Sequence, residues 1–180
     1  MLEAGELAPG LAAQCCPSCQ GAWIPADGYE AWQPNHCDPT VAVTQLTLPS
    51  AVDVEYTPSP YDNRAGLCPE CGYYLVRSRV NLRSTSFFIE RCPTCKGIWC
   101  DRNEWSVLEK LGLDGYIPVL FSDEWQGHVR RLETEYREKQ ATVDKLGQAL
   151  AEQVFALADR LEQHPNGDFG VAYLMRRFEQ

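Results

Sequence analysis

No stretch of this 180-residue chain approaches the ~18 apolar residues that a membrane-spanning helix needs. Its opening, MLEAGELAPG, also lacks the basic-then-apolar pattern of a secretory signal. The expected compartment is therefore cytoplasmic. Positive charge is scarce: 16 Lys and Arg stand against 25 Asp and Glu, giving a net charge of −9 and no overall basic field to attract nucleic acid. Residues 1–63 contain no Lys or Arg at all. Histidine is rare as well, with His36, His128 and His164 the three copies. None belongs to a His-Glu-x-x-His pattern, and no Gly-rich phosphate loop is present. These absences lead to the expectation that the chain is not an enzyme.

Cysteine, by contrast, is abundant. Of the nine, six fall into three Cys-x-x-Cys pairs, Cys16/Cys19, Cys68/Cys71 and Cys92/Cys95, while Cys15, Cys37 and Cys100 stand outside them. An odd count without a signal peptide argues against a disulfide framework, and paired thiols in a reducing compartment point to metal. Cys68-Pro69-Glu70-Cys71 is followed after a 20-residue gap by Cys92-Pro93-Thr94-Cys95, the spacing of a four-thiolate zinc site. Each knuckle turns back to aim two sulfurs inward. The strand-like runs Tyr73 to Val80 and Thr85 to Arg91, with a turn over Asn81 to Ser84, form the hairpin that joins them. Four thiolates leave no position for a catalytic water, so a zinc ion here is structural; iron with the same ligands is the alternative. A module of about 45 residues has too little core to stand alone, and the metal supplies much of its folding free energy.

The run Cys92-Pro93-Thr94-Cys95-Lys96-Gly97-Ile98-Trp99-Cys100-Asp101-Arg102-Asn103-Glu104 resembles the small bacterial zinc ribbons of the transcription factor IIB type. Their signature is a knuckle, then Gly-x-Trp, a hydrophobic residue, Asp, and a helix carrying Glu. The resemblance covers Leu67 to Gly112 and implies a zinc ribbon with an appended helix; it does not imply a role in transcription. Asp101 is placed to cap that helix, with Glu104 at the third position of a capping box and Gly112 at its end. Trp99 is expected to cover the metal knuckle, and Cys100 reads as a small buried apolar residue.

Cys16-Pro17-Ser18-Cys19-Gln20-Gly21-Ala22-Trp23-Ile24 aligns with Cys92 through Cys100, and Tyr29 and Trp32 align with Trp105 and Leu108, an internal repeat. The first copy has no leading knuckle, so either the chain starts late or this is a half-module. A metal there would need Cys16 and Cys19 with ligands from Cys15, His36 or Cys37. The other reading is a metal-free module held by Trp23, Tyr29, Trp32 and the second ribbon.

The resulting fold class is small α+β: a zinc ribbon of β-hairpin knuckles and a short helix, repeated, then a long α-helix. Residues 1–48 form a degenerate ribbon-like half-module, 49–66 a Pro-rich connector, 67–113 the zinc ribbon, and 119–180 the long helix with a short terminal one. Val41, Val43, Leu46 and Leu48, and then Val52, Val54 and Tyr56, alternate as two short strands. Ser122 caps a helix of about 40 residues whose apolar seam is Trp125, Val129, Leu132, Tyr136, Val143, Leu146 and Leu150, interrupted by Lys139. At 1.5 Å per residue it is roughly 60 Å long. A terminal helix from Asp168 to Phe178 covers about a third of it at most, which leaves a seam for a protein partner or a second copy.

Two binding functions follow. The first is a protein-interaction module, meaning an adaptor, assembly factor or regulatory subunit that docks through the seam. The second uses the local basic island, residues 64–113 with eight basic and five acidic side chains, as a nucleic-acid surface. There Arg77, Arg79 and Arg83 lie near Tyr73, Tyr74, Phe87 and Phe88, a mixture of cation and ring that stacks on unpaired bases.

Overall fold

The computed structural model describes residues 1–46 and 48–178, which divide into two compact units, Met1–Val129 and the segment from Arg130 onward. In the first unit, β1 (Glu3–Ala8) and β2 (Leu11–Cys15) form a hairpin, followed by β3 (Ala22–Ile24) and α1 (Ala26–Trp32). The same succession recurs as β4 (Val76–Asn81), β5 (Ser86–Arg91), β6 (Ile98–Cys100) and α2 (Glu104–Leu111). The six strands make one antiparallel sheet in the order β1-β2-β3-β6-β5-β4, so the two halves meet edge to edge. At the join, Ala22 pairs with Cys100, Trp23 with Trp99 and Ile24 with Ile98.

Burial explains why these segments are strands. Phe87 and Ile89 on β5, and Val80 on β4, point into the core at the two-residue period of a pleated strand. They meet Trp105, Leu108 and Leu111 of α2, which recur at helical spacing. Leu113, Ile117 and Leu120, the last two on α3 (Ile117–Leu120), close the same core. α1 is tied in by Tyr29, whose hydroxyl donates to the Asp114 carbonyl at 2.6 Å and accepts from the Ile117 N–H at 3.2 Å.

The expected strands at 41–48 and 52–56 do not form. The chain there makes 3-10 turns at Val43–Gln45 and Pro49–Ala51 and then runs extended, since its Pro-rich backbone finds no ladder partner. Its apolar side chains are used all the same: Val54 is buried, Tyr56 packs at a tilt against Phe87 with centroids 5.0 Å apart, and Val43, Leu46, Leu48 and Val52 pack on the core. Residues 49–66 thus lie as a strap over the sheet, and Asp62 pins them there by accepting the Phe88 N–H at 2.9 Å.

The long helix is also interrupted. α4 (Asp123–Leu146) ends at Gly147 and α5 (Gln148–Glu162) starts directly after it. Gly147 has φ 76° and ψ 155°, a conformation open essentially to glycine alone. In the 119–180 segment the seam expected to bind a partner is therefore not one stripe. Trp125 and Val129 are buried in the core of the first unit, at 2% and 8% exposure, and are unavailable for docking. Within the second unit Leu132 and Val143 are half-buried, while Tyr136, Leu146 and Leu150 are exposed. α5 and α6 (Gly167–Phe178) form a helical hairpin, packed closely where Gly167 meets the backbone of Leu161. No described helix is long and apolar enough to cross a membrane.

The join between the halves generates a test. A Cβ on Gly97 would overlap the Trp23 ring, which is itself fully buried and cannot withdraw. Gly97→Ala is expected to cost about 1–3 kcal/mol, the usual price of overfilling a packed core. Denaturant unfolding should show it as a lower midpoint at unchanged slope.

Candidate metal centre

Cys68 and Cys71 sit in the turn before β4, and Cys92 and Cys95 in the turn between β5 and β6, so the β4–β5 hairpin brings the two knuckles together. All four sulfurs lie within 4.8 Å of one another, with Cys68 Sγ 3.5 Å from Cys95 Sγ and Cys71 Sγ 3.4 Å from Cys92 Sγ. A tetrahedron with Zn–S bonds of about 2.3 Å has edges of about 3.8 Å, so the set fits a zinc ion. Backbone N–H groups complete each knuckle: Cys71 N–H points at Cys68 Sγ and Cys95 N–H at Cys92 Sγ, each at 3.4 Å. Burial works against a thiolate at Cys92, yet the N–H groups of Cys95 and Thr94 outweigh it and bring the thiol down to about 6. Cys68 and Cys92 are buried, while Cys95 is half-exposed and Cys71 exposed at the rim.

Two indoles pack at this site, the expected Trp99 and a second one. Trp23, from the first half, packs with Cys68, Leu75 and Cys92 and donates its Nε1–H to Glu70 Oε1 at 2.9 Å, inside the leading knuckle. Trp99 packs against the same group and also lies over Gly21, in the turn of the Cys16/Cys19 knuckle, donating to Asp101 Oδ1 at 2.8 Å. Each half therefore lends its tryptophan to the other's knuckle. The expected cover by Trp99 is present, and the addition of Trp23 rests on the β3–β6 register, which is invisible in a linear alignment. The glycines at equivalent positions, Gly21 and Gly97, were the available hint of a ring packed on each.

Residues 67–111 match the family described as transcription factor zinc-finger, of the transcription factor IIB ribbon type. This segment is a zinc ribbon. No curated protein and no solved structure is significantly similar to the chain. The ribbon match covers the hairpin, both knuckles and α2, and the four-cysteine cluster is consistent with its zinc site.

The other sequence candidates are dispersed. Cys16 and Cys19 share a knuckle and are half-exposed. His36 stacks on Trp32 with centroids 3.6 Å apart and holds the Trp32 carbonyl through Nδ1, and Cys37 lies against Gly115. Among the described residues, no third Cys, His or acid lies close enough to form a ligand group with Cys16 and Cys19. The Cys19 N–H lowers the Cys16 thiol from its ordinary value, whereas burial raises Cys19. Cys100 is buried at 1% exposure, pairs with Ala22 and has its thiol pushed well above its ordinary value by desolvation. Arg77 lies half-buried, 3.3 Å from Glu90 and stacked 3.9 Å from the centroid of Phe88. Arg79 donates to Ser86 Oγ at 3.0 Å and, like Arg83, is exposed.

A second group escaped the sequence altogether. Asp62 of the strap, Asp101 and Glu104 bring their carboxylates within 4.8 Å of one another beneath Tyr56. Asn103, with φ 68°, rather than Asp101 occupies the cap of α2, so the expected capping box does not form; Glu104, the first helical residue, folds back to accept the Asp101 N–H at 2.7 Å. Glu104 is fully buried, and desolvation pushes its carboxyl up to about 9; the protonated group shares a hydrogen bond with Asp62. Burial likewise lifts Glu90 to about 7, against the pull of Arg77.

Two tests follow. Replacing Cys68 and Cys71 with Ser should remove one zinc per chain and collapse the amide dispersion of residues 67–111, as metal analysis and NMR would show. The folded state holds the Glu104 proton that the unfolded chain releases near pH 4.3. Stability from this group is therefore full at low pH and falls as pH rises toward 9. In zinc-saturated protein, Glu104→Gln should flatten the decline in denaturation midpoint between pH 7 and 9.

Proposed function

We propose that the chain is a non-enzymatic protein-interaction module of two ribbon-like halves, one carrying structural zinc, whose helical second unit docks on a protein partner. The observation that carries this reading is the apolar face of the α5–α6 hairpin. Val154, Leu157, Leu161, Val171, Leu174 and Phe178 line a groove of about 870 Å³, and among the described residues of the second unit only Ala151 and Gly167 are buried. Helices with so little internal burial owe their stability to whatever covers that face. The four-thiolate site supports the non-enzymatic reading, because a closed tetrahedron offers no coordination position to a substrate.

The alternative, a nucleic-acid surface at Arg77, Arg79 and Arg83, is weakened by the use of Arg77 within the fold. Its guanidinium is committed to Glu90, Phe88 and the Asp62 carbonyl, which leaves Arg79 and Arg83 as the exposed pair. Two cations beside an acidic chain supply little of the counterion release that drives such binding.

In the full chain, Leu157→Asp with Leu174→Asp is expected to reduce partner association at least tenfold, whereas Arg79→Ala with Arg83→Ala leaves it unchanged. Titration by surface plasmon resonance would check both. Salt-sensitive retention on single-stranded nucleic acid, lost in the arginine variant, would reverse the assignment.

A further inference from the structure

The Cys16/Cys19 turn has the form of a metal-binding knuckle but only half of a ligand set. Its backbone reproduces that of the Cys92/Cys95 turn bond for bond. Cys16 N–H donates to the Gly21 carbonyl at 2.8 Å, as Cys92 N–H does to Gly97 at 2.9 Å. Gln20 N–H returns to the Cys16 carbonyl at 2.9 Å, as Lys96 N–H does to Cys92 at 3.1 Å. Both turns place a non-glycine residue in the left-handed region, Gln20 at φ 61° and Lys96 at φ 65°. Among the described residues only Asn103 shares that property. A conformation disfavoured for side-chain-bearing residues persists where the surroundings require it, and at Lys96 the requirement is to aim two sulfurs at one metal. Gln20 adopts the same strained turn, roofed by Trp99 as its counterpart is roofed by Trp23.

In the ribbon the remaining two sulfurs come from Cys68 and Cys71, across the hairpin. At the first knuckle Cys15, His36 and Cys37 supply none: His36 is held by Trp32, Cys37 lies at Gly115, and the Cys15 sulfur is directed to Gly5 across the β1–β2 pair. Cys16 and Cys19 both remain half-exposed, and Cys19 opens onto a recess of about 220 Å³ between Trp99, Asp101 and Arg64. The donor set is therefore accessible from outside and short by two soft ligands.

We infer that the Cys16/Cys19 knuckle is half of an intermolecular zinc site, completed by the same knuckle of a second copy of this chain. Two identical half-sites related by a twofold axis give four thiolates around one ion. That is the composition of the ribbon's own site, and the interface closes on itself. Binding releases the protons of the thiols that coordinate, so assembly strengthens as pH rises. The inference is independent of the docking role of the helices, which involves the other unit.

Native mass spectrometry of the full chain, purified with a phosphine reductant and supplied with zinc, tests it. The expected species is a dimer with three zinc ions, or 1.5 per chain. Cys16→Ser with Cys19→Ser should lower this to 1.0 per chain, while Cys37→Ser leaves 1.5. In the parent dimer, zinc should also protect Cys16 and Cys19 from alkylation at least tenfold relative to the chelated protein. A parent chain with 1.0 zinc, or monomers carrying two zinc ions, would overturn the inference, as would a count of 1.5 that survives loss of both cysteines.

Discussion

The pairing of β3 with β6 is the constraint on which the first unit depends. Three residues on each side suffice because each strand carries a tryptophan that the other half needs. Trp23 fills the space behind Cys68 and Cys92, and Trp99 covers Gly21. Neither half could release its partner without opening a large apolar surface beside its knuckle. A zinc ribbon of about 45 residues is marginal alone, and here it borrows core from the segment before it. The metal and the sheet thus stabilise the same region: the ion fixes two knuckles, and the exchanged rings connect those knuckles to the rest of the core.

The strap over residues 49–66 adds a different kind of restraint. It is held by apolar contacts of Val54 and Tyr56, but also by the carboxylates of Asp62, Asp101 and Glu104 that it helps to enclose. Holding the buried Asp62 and Glu104 beside the half-buried Asp101 is costly unless one acid stays protonated, and Glu104 takes that part. The zinc site favours high pH, at which thiolates form, whereas the buried carboxyl cluster favours low pH. The first unit is therefore most stable in between, with its two opposing groups separated only by the length of β6 and the turn to α2.

The second unit follows other rules. Its helices have ordinary amphipathic patterns, but among its described residues almost nothing is fully covered, and the α5–α6 contact is the packing it has within itself. Gly147 separates what the repeating apolar positions described as one rod. The periodicity was sound on both sides of the break, and a single glycine in the middle of a 40-residue pattern is weak punctuation, because helices tolerate it.

The amino-acid order alone determined the metal site: knuckle spacing, the strand-like run between the knuckles and the absence of other ligand patterns led to Cys68, Cys71, Cys92 and Cys95. These are local features, and a chain of 20 residues between knuckles has few ways to close. Only the tertiary structure decided that Trp23 joins Trp99 at the ribbon's cysteines, that Trp125 and Val129 belong to a core, and that Asp62 meets Glu104 across 42 positions of sequence. Those outcomes depend on strand register and on long-range packing between segments, where the energy resides in contacts that no local pattern encodes.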